Sequence, residues 1–175
     1  VQRMGPRRII VLGLICIATG EWQMSLFTTD VGMNFILMAS VFFGLGSGFA
    51  FVPLNVTSFW TLDPRHRNMA TGLFALMTIL GGSIGISVMV TNLVRSAQSN
   101  RSALIEHVTP YNEVLRHTPL PPGWSLTDPV GLTAAADEIQ RQAMMIAYVN
   151  DFRLLAILTL ICIPFVYFMR KPRSA

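Results

Sequence analysis

Charge is what this chain has least of. Asp, Glu, Lys and Arg make up 13% of its 175 residues, about half the share of a soluble domain, which is roughly 25%. The shortage is concentrated: Phe35–Trp60 and Met69–Val94 contain no charged residue at all. A helix in water needs one polar face, so runs of this length exclude a solvated helix and fit segments buried in lipid. In lipid every backbone amide must find its partner within the segment, which excludes isolated strands and leaves α-helix. Cysteine is also scarce. Cys16 and Cys162 each fall inside an apolar run, which speaks against a disulfide or metal pair and for small packing residues. The three histidines, His66, His107 and His117, lie in loops without ligand spacing, so no metal site is expected. Twelve of the thirteen cations are Arg, set at helix flanks or diluted by acids in one long polar region. No basic stripe with interleaved aromatics forms, and nucleic acid is excluded as a partner despite the net charge of +4.

What the chain does have is apolar length: 52% hydrophobic residues and a mean hydropathy of +0.52. The fold class this predicts is an all-α integral membrane protein, with four transmembrane helices plus one amphipathic helix in an outer loop. A basic, turn-forming lead (Val1–Arg8) precedes a first crossing at about 9–26, which contains Glu21. A brief polar turn at Thr28-Thr29-Asp30 leads to the second crossing, 35–60, with Pro53 near its far end. The polar link Thr61–Asn68 joins it to the third, 69–94. These first 94 residues form one region of three crossings. Residues 95–151 form an outer loop. Ser96–His107 can prolong the third helix, and the Pro-rich middle is irregular. Thr133 is a plausible N-cap for an amphipathic helix of about 133–150, with Ile139, Ala143 and Ile146 on one face. Residues 152–175 supply the last crossing and a basic tail. The first residue is Val, and no signal peptide is present, so the chain reads as a piece of something longer.

Basic residues orient the hairpins. Arg3, Arg7 and Arg8, then Arg65 and Arg67, then Arg170, Lys171 and Arg173 all fall on one side of a four-crossing scheme. The opposite short loop, Ser25–Asn34, has neither Lys nor Arg. The positive-inside rule predicts cytoplasmic ends and an outward 95–151 loop, in a plasma membrane that for a bacterium is the inner one.

No nucleophile–base pair, metal cluster or phosphate loop emerges, so no enzyme chemistry, catalytic residue or cofactor is expected. The glycine-rich stretches Gly44-Leu45-Gly46-Ser47-Gly48 and Gly81-Gly82-Ser83-Ile84-Gly85 sit mid-way along apolar helices, whereas a nucleotide loop needs a preceding soluble strand. Gly44 and Gly48, and Gly81 and Gly85, lie one turn apart in the small-xxx-small spacing of close helix packing. Glu21 has two readings: a carboxyl that takes up and releases a proton in a transport cycle, or a residue near the outer interface whose charge reaches headgroups or water. Pro53, with Asn55 beside it, marks either a gate or a static kink. Thr57, Ser58, Thr78 and Ser83 can hydrogen-bond across helices. Met33, Met38, Met69, Met77 and Met89 either offer an adaptable apolar surface or simply pack.

Several stretches together resemble the EmrB/QacA-type drug:proton antiporters, the fourteen-helix branch of the major facilitator superfamily. Arg3–Arg8 resembles the end of the family's basic loop, and Trp22–Asp30 its outer turn. Gly44–Leu54 resembles the next helix. Ala70-Thr71-Gly72-Leu73 and Leu80–Gly85 resemble the one after, and Arg141-Gln142-Ala143 with Asp151-Phe152 the approach to the last. The resemblance implies the last four of fourteen helices in a transporter whose two halves rock around a midplane site, with an inward proton driving a substrate out. Its partners would be the lipid bilayer, the remaining helices, protons and a hydrophobic or amphipathic small molecule. Where family members often carry an Arg before the Gly-Ser pair of the penultimate helix, this chain reads Met77-Thr78-Ile79. Two other readings stand beside it: a self-contained four-helix protein acting as an oligomeric small exporter, and a scaffold subunit with no transport role.

Overall fold

The computed structural model describes residues 5–59, 66–108 and 128–168. Trp60, the Thr61–Arg65 part of the link, the Pro-rich 109–127 segment and the basic tail lie outside the described residues. Among the described residues four helices follow in order: α1 (Pro6–Met24), α2 (Met33–Phe59), α3 (Arg67–His107) and α4 (Pro129–Phe168). No strand occurs among the described residues. Three of them, α2, α3 and α4, are long and apolar enough to cross a membrane. α1 has 19 residues, a rise of about 28 Å at 1.5 Å per residue, and carries Arg7, Arg8 and Glu21.

Two helices are longer than their apolar runs. α3 does not stop at Val94 but continues to His107, 41 residues in all, and α4 runs 40 residues without a break. Each is about 60 Å long, twice the roughly 30 Å of a bilayer's hydrocarbon. The expected amphipathic helix and last crossing are therefore one element, because nothing in Asn150-Asp151-Phe152 interrupts an α-helical ladder. α4 also starts earlier than expected. Pro129 takes the first helical position, where a missing N–H is no loss, and the Leu132 N–H donates to the Asp128 carbonyl (3.0 Å). Thr133 is thus inside the helix rather than its cap, and its hydroxyl donates to the Val130 carbonyl at 2.8 Å.

The chain divides into two compact units, residues 1–87 with 152–175, and residues 88–151. In the first, α1 and α2 pack antiparallel, and glycine makes the crossing possible. A Cβ at Gly13 would stand 2.6 Å from the Ala50 nitrogen and 2.8 Å from the Gly46 carbonyl oxygen. One at Gly46 would stand 2.6 Å from the Ile17 nitrogen, and one at Gly20 3.0 Å from the Ala39 carbonyl oxygen. Gly13 and Gly20 are seven residues apart, as are Ala39 and Gly46, the repeat of a left-handed helix pair. Across the turn Phe27 meets Phe35 edge to face at 5.6 Å, and Phe59 meets Phe74 at 5.5 Å.

The glycines read as packing positions have no neighbour at close range among the described residues. Gly44, Gly48, Gly81 and Gly85 have nothing within 4 Å of a built Cβ. The reason is angular. Two residues along an α-helix turn by about 200°, so Gly44 and Gly48 lie on the far side of α2 from Gly46. Spacing finds a stripe but does not say which stripe has a neighbour. Elsewhere the apolar stretch of α3 is largely bare: Leu73, Leu76, Ile79, Leu80, Ile84 and Ile86 are each more than half exposed. Such a surface is stable only in lipid or under further helices.

The second unit, 88–151, is built on a different stripe. Gly131, Ala135, Ile139, Ala143, Ala147 and Asp151 recur every four residues on α4 and are all buried, as is Ala97 on α3. The Asn92 amide donates to the Asp151 carboxylate. On the exposed face Arg141 holds Glu138 through two contacts of 2.8 and 2.9 Å, and Gln142 adds a third. These donors, the Arg141 fork first, hold the Glu138 carboxyl below the usual glutamate range, so this face remains charged. Ala143 has no exposed surface, so Ala143→Leu is expected to cost about 1–3 kcal/mol by overpacking. Hydrogen exchange should register it as faster exchange of α4 amides between 135 and 150, with α1 and α2 unchanged.

Candidate functional site

The candidate site lies at the end of α1. That helix begins after Gly5 with Pro6 in its first turn and stops where Ser25 satisfies its last carbonyls. The Ser25 N–H donates to the Glu21 carbonyl at 2.9 Å, and the Ser25 hydroxyl donates to the Trp22 carbonyl at 2.7 Å. Glycine again decides what lies next to the carboxyl. Gly20 brings α1 against Ala39 and Phe43 of α2, so its neighbour Glu21 is turned away from the surroundings and is only 5% exposed. Ser25 is buried with it, whereas Trp22 is half exposed. The reading of Glu21 as a charge reaching headgroups or water thus meets a carboxyl buried in the chain.

One hydrogen bond holds that carboxyl. The Thr159 hydroxyl of α4 donates to Glu21 Oε2 at 2.8 Å across 138 positions of sequence. No cation pairs with Glu21 among the described residues. Two residues on, Gln23 Oε1 is buried and makes no hydrogen bond among the described residues. An isolated carboxylate in apolar surroundings is costly, and the alternative to pairing is to bind a proton. The arrangement thus offers one buried carboxyl held by one hydroxyl donor. It has no second group to make a nucleophile, and among the described residues no cluster of His, Cys, Asp and Glu could hold a metal ion.

The other residues named from the sequence lie apart from this site. Pro53 sits inside α2, which continues through it to Phe59. The next turns are tied back to their own helix: Thr57 donates to the Pro53 carbonyl (2.7 Å), Asn55 to Phe51 and Ser58 to Leu54 (both 2.8 Å). Thr78 and Ser83 likewise donate to Phe74 and Ile79, so none of these hydroxyls bridges helices. Met33, Met38, Met69 and Met77 are exposed, Cys16 is part-buried and Cys162 exposed, both free, and Asp30 is exposed.

One participant in the site escaped sequence reasoning. Thr159 was a readable signal, a hydroxyl in the otherwise apolar run Leu154–Val166, but its partner is too remote in sequence for any helical spacing to find. The Asn92–Asp151 pair joins α3 and α4, and its two members are likewise remote.

Comparison with known proteins gives distant relatives. The fatty acid resistance protein FarB of Neisseria gonorrhoeae is 22% identical over 172 residues, which is 98% of this chain and 34% of FarB. The colistin resistance protein EmrB of Acinetobacter baumannii is 25% identical over 148 residues, 84% of this chain and 27% of EmrB. An uncharacterised MFS-type transporter of Schizosaccharomyces pombe is 31% identical over 80 residues, 46% of this chain and 13% of that protein. The chain thus spans about a third of FarB's length and less of the other two. No family model and no solved structure matches it. The relatives are named as an MFS-type transporter and as resistance proteins, none as an enzyme, and the helices α2–α4 have the length and apolarity of membrane spans.

Proposed function

We propose that residues 1–175 are the C-terminal part of a major facilitator transporter of the EmrB/QacA type, which exports a hydrophobic or amphipathic compound in exchange for protons by alternating access. The observation that carries this reading is twofold: the match to FarB runs along 98% of the chain, and α3 has no buried residue in its most apolar stretch. An apolar stretch left this exposed fits a piece cut from a larger bundle, in which lipid covers one face and further helices the other.

On this reading α1 also crosses the membrane, making four crossings with α2–α4, and both chain ends are cytoplasmic. Gly44, Gly48, Gly81 and Gly85 face helices beyond these 175 residues, and Pro53 lies in a segment free to bend during rocking. Four helices cannot form two rocking halves, so the piece by itself transports nothing. The test is drug accumulation in cells expressing the full-length protein or residues 1–175 only, with and without a protonophore. The full-length protein is expected to lower accumulation in a protonophore-sensitive way, and residues 1–175 to leave it at the level of empty cells. Export by residues 1–175 would instead support a self-contained oligomeric exporter, and no export by either would support a scaffold.

A further inference from the structure

Hydroxyls in apolar helices have a resting arrangement: with no water to bond, Ser and Thr donate to the carbonyl four residues back. Thr19, Ser40, Thr57, Ser58, Thr78 and Ser83 all do so, at 2.7–2.9 Å. Thr159 departs from them. A hydroxyl has one proton, and Thr159 gives it to Glu21 of α1 rather than to the Leu155 carbonyl of its own helix. We propose that Thr159 is the positioning residue for proton exchange at Glu21, the two side chains forming a polar link between α1 and α4 that reverses its direction when Glu21 binds a proton.

With Glu21 ionised, the Thr159 O–H donates to Oε2, the bond seen here. When a proton from water binds the carboxylate, the new Glu21 O–H can donate to Thr159 Oγ1, and the threonine proton turns to the Leu155 carbonyl, the resting position of the other hydroxyls. Each state keeps every donor satisfied, and the change needs one proton and one hydroxyl rotation. Among the described residues no cation pairs with Glu21. α2 carries no charged residue between Met33 and Phe59. On α1, Arg7 and Arg8 lie at the opposite end, about 20 Å away along the helix, and Cys16 is part-buried. On α4, Arg153 is exposed, six residues before Thr159, and Cys162 is exposed three residues after it, while Asp151 is engaged by Asn92. α3 has no charged residue from Asn68 to Val94.

The inference rests on the proton-coupled reading above, and the experiment separates the two. In the full-length protein, Thr159→Val is expected to lower proton-coupled efflux about tenfold, the worth of a hydrogen bond to a charged group. Thr159→Ser, which keeps the hydroxyl, should restore it to within about twofold of wild type. In a Glu21→Gln background Thr159→Val should cost nothing more. Infrared spectra of the purified full-length protein supply a readout independent of transport: the carbonyl stretch of protonated Glu21, identified by its loss in Glu21→Gln, should shift in Thr159→Val and not in Thr159→Ser. If the wild-type protein exports nothing, the transporter reading fails while the infrared arm still decides the pair. A band unmoved by Thr159→Val, equal losses in the Val and Ser variants, or additive losses with Glu21→Gln would overturn the inference.

Discussion

Gly46→Leu is expected to break apart the helix pair on which the first unit is built. Even a single methyl at this position would sit 2.6 Å from the Ile17 nitrogen and 2.7 Å from the Gly13 carbonyl oxygen, atoms of backbone that no rotamer change can move. Leucine adds three further carbons, so α1 and α2 must separate along the whole crossing. Overpacking ordinarily costs about 1–3 kcal/mol, and a clash with backbone on both sides belongs at or above the top of that range. Gly20, which seats Glu21, lies in the same interface, so the carboxyl loses its surroundings as well. The measurement is membrane abundance and protease resistance of residues 1–175, with Gly44→Leu as the comparison. Gly44 is on the opposite side of α2 with open space around it, so its substitution should leave the isolated piece as stable as before. In the full-length protein the same Gly44→Leu should become costly, if the face it occupies meets a helix outside this chain. Equal tolerance of Gly46→Leu and Gly44→Leu would show that α1 and α2 do not cross where the glycines are.

That contrast also marks where sequence reasoning reached and where it stopped. Hydropathy alone located α2 and the apolar half of α3, because an uncharged run has only one low-energy form in lipid. It could not choose among faces. Gly44, Gly46 and Gly48 are equivalent in composition, and which of them meets α1 depends on the rotation of α2 about its axis, a property of the whole pair. Boundaries erred for a similar reason. Thr133 had the chemistry of a cap, but Asp128-Pro129 supplied an earlier start, and a polar helix can continue unbroken into an apolar one where no breaker intervenes. Glu21 stood out as an acid in an apolar run. Its burial and its bond to Thr159 did not, since both arise from a contact between segments 138 residues apart.

Single cysteines should divide the chain sharply by side of the membrane. In a protein with Cys16 and Cys162 replaced, a membrane-impermeant thiol reagent added to intact cells is expected to label Asp30→Cys and Asp128→Cys, and to reach Arg67→Cys only after the cells are opened. Two independent arguments meet in this expectation. The first is charge: Arg7, Arg8 and Arg67 flank α1 and α3 on one side, while Ser25–Asn34 carries no cation, and such a bias sets orientation in short loops. The second is length. α3 and α4 each exceed the hydrocarbon by about 30 Å, and the excess cannot be hidden by tilting, because it is polar. Burying Asp137, Glu138 and Arg141 at the bilayer centre would cost about 3 kcal/mol each, and the Arg141 and Gln142 donors hold the Glu138 carboxyl below its usual range. The 95–150 excess must therefore stand in water. Because residues 88–151 form one compact unit, the excess of both helices must stand on the same side. Were Asp128→Cys labelled only in opened cells, the unit would be cytoplasmic. The arginine pattern would then have been outvoted by a signal that these 175 residues do not contain.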